Sequence, residues 1–295
     1  MVDKSKSFQT FANVIMIILC VMCLFPFLML IVSSFADEHQ LIRDGYSIIP
    51  RSFSLSAYTY IFKNAATILR AYATTIGVTV VGTMLSITMT TLLAYPLSRR
   101  DLPHRNVWSF IVFFTMLFNG GLVPSYIMWT QFFHIKNTYA ALVVPGLLMG
   151  AFYVFMMRTN LEQNIPEQVI EAARIDGAGE WKILLRVVLP MSKPIIATLM
   201  LLCGLAYWND WTNGLYYLSK SKYFTVQVLL NAMLQNIQIL MSSSSNIASN
   251  IDMSAMPSTS IKMAIAVVGA IPVLIVYPFF QKYFVKGITI GAVKG

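Results

Sequence analysis

Charge is what this sequence has least of: Asp, Glu, Lys and Arg make up 11% of its 295 residues, while 57% are hydrophobic and mean hydropathy is +0.67. Soluble domains carry roughly 25% charged residues, so a water-soluble globular chain is excluded. Cysteine is nearly absent too. Cys20, Cys23 and Cys203 all fall in apolar runs, which argues against a disulfide framework. The C-x-x-C of Cys20 and Cys23 lacks further ligands, because His39, His104 and His134 stand at or beyond the ends of such runs. No metal site is expected. The sequence also contains no G-x-x-x-x-G-K-[ST], no H-E-x-x-H and no G-x-S-x-G. No catalytic residues and no cofactor of its own are expected, and the chain should hydrolyse nothing itself.

What the sequence does have is length in its apolar runs. A helix needs about 20 residues to cross the hydrocarbon core, and six runs suffice, at approximately 11–32, 71–97, 107–132, 139–157, 194–217 and 263–280. The fold class expected is an all-α membrane protein, one transmembrane domain over 1–295. The first run exceeds the roughly 7 to 15 apolar residues of a cleavable signal and reads as a retained anchor.

The net charge of +9 does not point to nucleic acid, because Lys and Arg are scattered at the ends of apolar runs. They orient the chain instead. With the N-terminus inside, the inner segments hold Lys4, Lys6, Arg99, Arg100, Arg105, Arg158, Arg174, Lys182, Arg186, Lys193, Lys282, Lys286 and Lys294, thirteen of the 21 cations. Positive-inside bias then places both termini in the cytoplasm. Residues 37–70 become an outer lobe and 97–105, LSRRDLPHR, a tight basic inner turn. The Ser-, Asn- and Met-rich stretch 218–262, with SSSS at 242–245, becomes an outer loop. In the third run Gly120, Gly121 and Pro124 interrupt the helix, which membrane proteins tolerate where neighbours or a cavity satisfy the freed backbone.

Between the fourth and fifth runs lies a polar loop, 158–193, whose centre reads EAARIDGAGEWKILLRVVLP over 171–190. Pro166 suits a first helical turn, Glu167 complements a helix N-terminus, and Gly177 is a terminator. Small Ala172, Ala173 and Gly177 let another surface approach the backbone. Trp181, Leu184, Leu185 and Val188 recur at i, i+3, i+4 and i+7, predicting one apolar face. Pro190 is expected to force Leu189 out of helical geometry. An amphipathic hairpin lying on the bilayer is the alternative reading.

Glu171, Ala172, Ala173, Gly177, Leu189 and Pro190 fall on a fixed pattern, Glu-Ala-Ala, three residues, Gly, nine residues, Ile, any residue, Leu-Pro, with Val187 in place of Ile. This resembles the cytoplasmic coupling loop of permease subunits of binding-protein-dependent ABC importers. AYPLSRR at 94–100, FNGGLVPSY at 118–126 and PFFQKYFVKGITIGAVKG at 278–295 look like the carbohydrate-uptake permeases, especially their polysaccharide-permease group. The resemblance implies a type I importer permease fold in a bacterial plasma membrane. It also implies a heterodimer with a second homologous permease, two cytoplasmic ATPase subunits that hold ATP and Mg, and an extracytoplasmic solute-binding protein. Glu171, Ala172, Ala173, Asp176 and Gly177 would then couple to the ATPase.

The fifth run carries YWNDWTN at 207–213. A carboxylate within a span is costly and usually faces a bundle interior or a wet cavity. Trp208, Asn209, Asp210, Trp211 and Asn213, with Asn119 from the third run, form a candidate path for an oligosaccharide, because indole faces suit sugar rings and amides suit hydroxyls. A structural anchor at Asp210, with the aromatics as an interfacial belt, is the competing reading. The sequence leaves two other classes to consider, an ion-coupled secondary transporter and a membrane scaffold. The first would need ion sites and repeats, and the second leaves the loop motif without a role.

Overall fold

The computed structural model describes residues 6–63, 65–235 and 259–272, together with 274, 275 and 278. The serine-rich stretch 236–258, the C-terminal motif beyond 278 and Lys4 lie outside the described residues. Among those described, secondary structure is helical apart from one isolated antiparallel bridge, Ala36 to Phe53. The chain divides into two compact units, one of residues 1–68 and 230–273, the other of 69–229 and 274–295.

In the first unit, α1 (Lys6–Ser34) is apolar all round and leaves nearly every side chain from Phe8 to Ile31 uncovered by the chain itself. A helix of that kind belongs in lipid or against another membrane helix. Beyond it are α2 (Glu38–Asp44) and α3 (Ser56–Lys63). The Gln40 carboxamide gathers the Arg51 and Ser52 backbone N–H groups, and Phe35 stacks on Tyr58 at 4.8 Å. Ala57 and Ile61 of α3 bury against Ile261, Ala264 and Ile265 of a later helix, Thr259–Pro272. The Glu38 carboxylate accepts the Thr259 and Ser260 N–H groups at 2.8 Å each and the Ser260 hydroxyl at 2.9 Å. The carboxylate thereby satisfies two backbone donors that would otherwise need partners.

The second unit is organised by α4 (Ala65–Ser98), most of which it contains. The buried face of α4 is small and hydroxylated, with Thr75, Gly82, Thr83, Ser86, Thr90 and Ala94 in line. Small residues let membrane helices approach closely. Gly82 shows this against α12 (Lys193–Asn209): a Cβ there would lie 2.6 Å from the Tyr207 ring. Tyr207 in turn donates to the Val143 carbonyl at 2.9 Å, and Ser86 Oγ lies 3.6 Å from Cys203 Sγ.

The third apolar run is not one rod. It forms α5 (Arg105–Leu117), a break, then α6 (Leu122–Ile127) running into a π-helical turn over Met128–Phe132, bent by 108°. Gly121 makes the bend at φ +89, a conformation that favours glycine. Pro124 falls in the first turn of α6, where a missing N–H costs no helical bond. The fourth run likewise divides into α7 (Ala140–Val143) and α8 (Ala151–Asn164). By length and composition two described helices can each cross a membrane, or up to four spans form if each bent pair counts as one.

Candidate coupling loop and polar segment

The polar loop folds as a helix, a glycine stop and a second helix. Pro166 stands just before α9 (Glu167–Ile175), with Glu167 in its first turn. The helix stops at Gly177, φ +74, where Gly177 N–H donates to the Arg174 carbonyl and Ala178 N–H to the Ala173 carbonyl, both at 3.0 Å. These are the two bonds of a Schellman cap, which requires a left-handed residue between them. Ala173 and Ala178, the pair whose side chains accompany such a cap, both pack against the buried core. The sequence motif thus has a local cause. Gly177 turns the chain, Ala173 and Ala178 close the turn, and Glu171, Ala172, Ile175 and Asp176 are left exposed, Ile175 at 86%.

The second half departs from the expected pattern. Trp181 and Leu185 are exposed, at 68% and 57%, while Ile183, Leu184 and Val188 are buried. The cause is a π-helical turn over Leu184–Val188, between α10 (Glu180–Ile183) and α11 (Leu189–Met191). An i to i+5 turn brings Ile183 into line with Val188 and rotates Trp181 away. Leu189, expected to leave helical geometry, is helical at φ −60 and ψ −45. The widened turn makes room for the Pro190 ring, so the chain redirects two residues later, at Ser192, where the helices meet at 81°.

Below the loop a charged cluster joins elements far apart in sequence. Arg99, at the end of α4 and only 9% exposed in its side chain, donates Nε and Nη2 to the two Asp101 oxygens at 3.2 Å. Arg174 Nη2 donates to Asp101 Oδ2 at 3.0 Å and to Glu180 Oε1 at 2.6 Å. Glu180 Oε2 accepts the Tyr95 hydroxyl at 2.6 Å. The Arg99 and Arg174 guanidiniums hold the Asp101 carboxyl down to about 2. The Tyr95 hydrogen bond, then Arg174, lowers Glu180, and Glu180 with Asp101 raises Arg174. These side chains rim a cavity of about 410 Å³ whose apolar wall includes Leu92, Pro96, Leu102 and Leu184. A second cluster anchors the same turn: Arg105 bonds Glu162 and the Leu97 carbonyl, and Arg158 bonds Glu162 and Ser109. None of this pairing was read from the sequence; its partners lie up to 85 residues apart, and only the bare charges of LSRRDLPHR hinted at it.

The YWNDWTN segment sits at a helix break. Asp210 ends α12 in extended backbone, φ −71 and ψ 113, and its Oδ1 accepts the Thr212 and Asn213 N–H groups at 3.1 and 3.2 Å, capping α13 (Thr212–Tyr217). Asn213 donates to the Pro145 carbonyl at 3.0 Å. Trp208 is buried with no hydrogen-bond partner for its indole Nε1 among the described residues, while Asn209 and Trp211 are exposed. Asn119 is exposed and accepts the N–H of Gly121, two residues on, so its bond supports the α5–α6 break rather than the Trp208–Asn213 segment.

Apolar helices long enough to cross a membrane, carrying a glycine-stopped, surface-presented loop, define an integral membrane protein with an exposed polar docking element. The pattern of the family described as binding-protein-dependent transport system inner membrane component matches residues 82–290, and this chain belongs to that family. It has the all-α type I importer permease fold and is an integral membrane permease subunit of an ABC importer. Among its relatives is the polygalacturonan/rhamnogalacturonan transport system permease protein YtcP of Bacillus subtilis, 37% identical over 99% of this chain and 100% of that one. Protein LplC of the same organism is 37% identical over 92% of this chain and 89% of its own length. Among solved structures, a chain of a bacterial ABC transporter involved in the import of the acidic polysaccharide alginate superposes with a TM-score of 0.80. It is 28% identical and covers 96% of this chain and 100% of that one.

Proposed function

We propose that this permease carries an oligosaccharide or polysaccharide-derived sugar across a bacterial plasma membrane, paired as a heterodimer with a second homologous permease. Two cytoplasmic ATPase subunits hold ATP and Mg and supply the energy; this chain, without a phosphate-cradling loop, binds no cofactor and hydrolyses nothing. An extracytoplasmic solute-binding protein delivers the sugar. Both termini lie in the cytoplasm. The observation that carries the reading is the capped coupling helix, which leaves Glu171, Ala172 and Asp176 exposed around Gly177, with half-buried Ala173 behind them. A surface of small residues beside carboxylates is open to close docking by another subunit. The polygalacturonan/rhamnogalacturonan named for YtcP and the acidic polysaccharide alginate named for the solved transporter support a polysaccharide-derived, acidic sugar as the solute class.

The solute path runs past Trp208, Asn209, Asp210, Trp211 and Asn213, with Asn119 at the bend of the third span. Trp208 supports this most directly, since a buried indole N–H without a partner among the described residues is a donor that a solute hydroxyl could satisfy. Asp210 shapes the segment by capping α13. The test is reconstitution with the partner permease, ATPases and binding protein. Uptake of labelled oligogalacturonides should require ATP and the binding protein. Uptake driven by an ion gradient without ATP, or failure of an ATPase to co-purify, would overturn the reading.

A further inference from the structure

We propose that Arg174 is a positioning residue that hands motion of the coupling helix to α4, through one branch to Asp101 and Arg99 and another to Glu180 and Tyr95. The inference rests on the reading of 167–191 as the ATPase-coupling loop, and adds the route by which displacement leaves that loop. Helix α9 carries the motif, yet Ile170 is its one buried side chain. Apolar packing at Ile170 is non-directional and does little to fix where the rest of α9 sits. Arg174, in the last turn of α9, supplies direction. Its Nη2 bridges Asp101 and Glu180, and its Nε makes a second bond to Glu180 at 3.0 Å.

Both branches end on buried residues, one on α4 and one directly after its last residue. Tyr95 is 8% exposed on α4 and Arg99 is 8% exposed at its end. A planar guanidinium with several donors in a fixed fork can hold two carboxylates at once, which an ammonium does less well. Individually such half-exposed pairs contribute little stability. Their value is geometric: pulling α9 by its Gly177 end moves Asp101 and Glu180 together, and so draws on α4 at two points. Helix α4 then meets α12 through the Gly82–Tyr207 and Ser86–Cys203 contacts, which places the relay between the loop and the membrane helices.

The test uses the complete transporter in proteoliposomes and compares solute taken up per ATP hydrolysed, together with the amount of ATPase bound. For Arg174→Gln the complex should assemble and hydrolyse ATP while uptake per ATP falls about five-fold; Tyr95→Phe, which cuts one branch without changing charge, should lower it about two-fold. The effects of Tyr95→Phe and Glu180→Gln should be non-additive, since both cut the same branch. A wild-type ratio in assembled Arg174→Gln and Tyr95→Phe complexes overturns the relay. Loss of ATPase binding in Arg174→Gln also overturns it, because the residue then belongs to the docking surface. Failure of the underlying coupling reading looks different: the wild-type chain itself would show no ATP-dependent uptake.

Discussion

The coupling loop and the segment around Asp210 both place a carboxylate beside a helix terminus, and they use it in opposite ways. Asp210 bonds N–H groups two and three residues ahead, so its hydrogen bonds shape the start of α13. Glu180 and Asp101 bond side chains up to 85 residues away, tying the loop to α4. A locally satisfied acid shapes one turn, whereas an acid shared between distant elements makes them move as one. The apolar surroundings differ as well. The loop sits over a continuous buried core that includes Met157, Ile183 and Val188, while the Asp210 segment leaves Asn209 and Trp211 uncovered.

The sharpest way to break this contrast is at Gly177. Leucine at φ +74 is strained and would thicken the presented surface, so Gly177→Leu should insert normally, bind less ATPase and abolish uptake. Normal uptake by assembled Gly177→Leu complexes would refute the docking role. Next in size is Gly82→Ala, whose new methyl meets the Tyr207 ring. Overpacking of that kind costs about 1–3 kcal/mol, read as a fall in the melting temperature of the purified transporter with ATPase still bound.

At Asp210 the effect should be smaller. Asparagine caps helices about as well as aspartate, whereas loss of the cap costs about 1 kcal/mol. Asp210→Asn should therefore keep stability, and Asp210→Leu should lower it. Uptake per assembled transporter then decides between the path and the anchor. Wild-type uptake by assembled Asp210→Leu removes the residue from the path.

The smallest effect concerns acid. Asp101 titrates low in the folded protein, so its contribution is present above its unfolded value and lost as pH falls towards about 2. The stability advantage of wild type over Asp101→Asn, about 1 kcal/mol or less for a half-exposed pair, should be constant from pH 7 to 5. It should shrink only below about pH 4. An advantage that vanishes between pH 7 and 5 would mean that Asp101 is not held by Arg99 and Arg174.

The loop was largely legible in the sequence because its determinants are local. The stop at Gly177, the small Ala172 and Ala173 and the break at Gly121 each depend on residues within one turn. Asp210 was half legible: Asp-Trp-Thr-Asn before a helix is a capping signal, but the apolar run around it suggested an uninterrupted span. The face assigned to Trp181, Leu184, Leu185 and Val188 failed for a physical reason, since a 3.6-residue period cannot register a wider turn. The Arg174 bridge was beyond reach, because a lone sequence does not say which arginine meets which acid.

That wider turn gives the loop something like a change of gear. At 100° per residue in an ordinary helix, one additional residue between Glu180 and Pro190 sets the two ends about a quarter turn apart. Trp181 can therefore look outward while Val188 looks inward along a single continuous rod. Taking one residue out of Leu184–Val188 would restore the ordinary pitch and swing the indole round relative to the buried end. The outward bearing of the loop's largest exposed side chain is thus set by how many residues are wound beneath it, and not by the identity of any one of them.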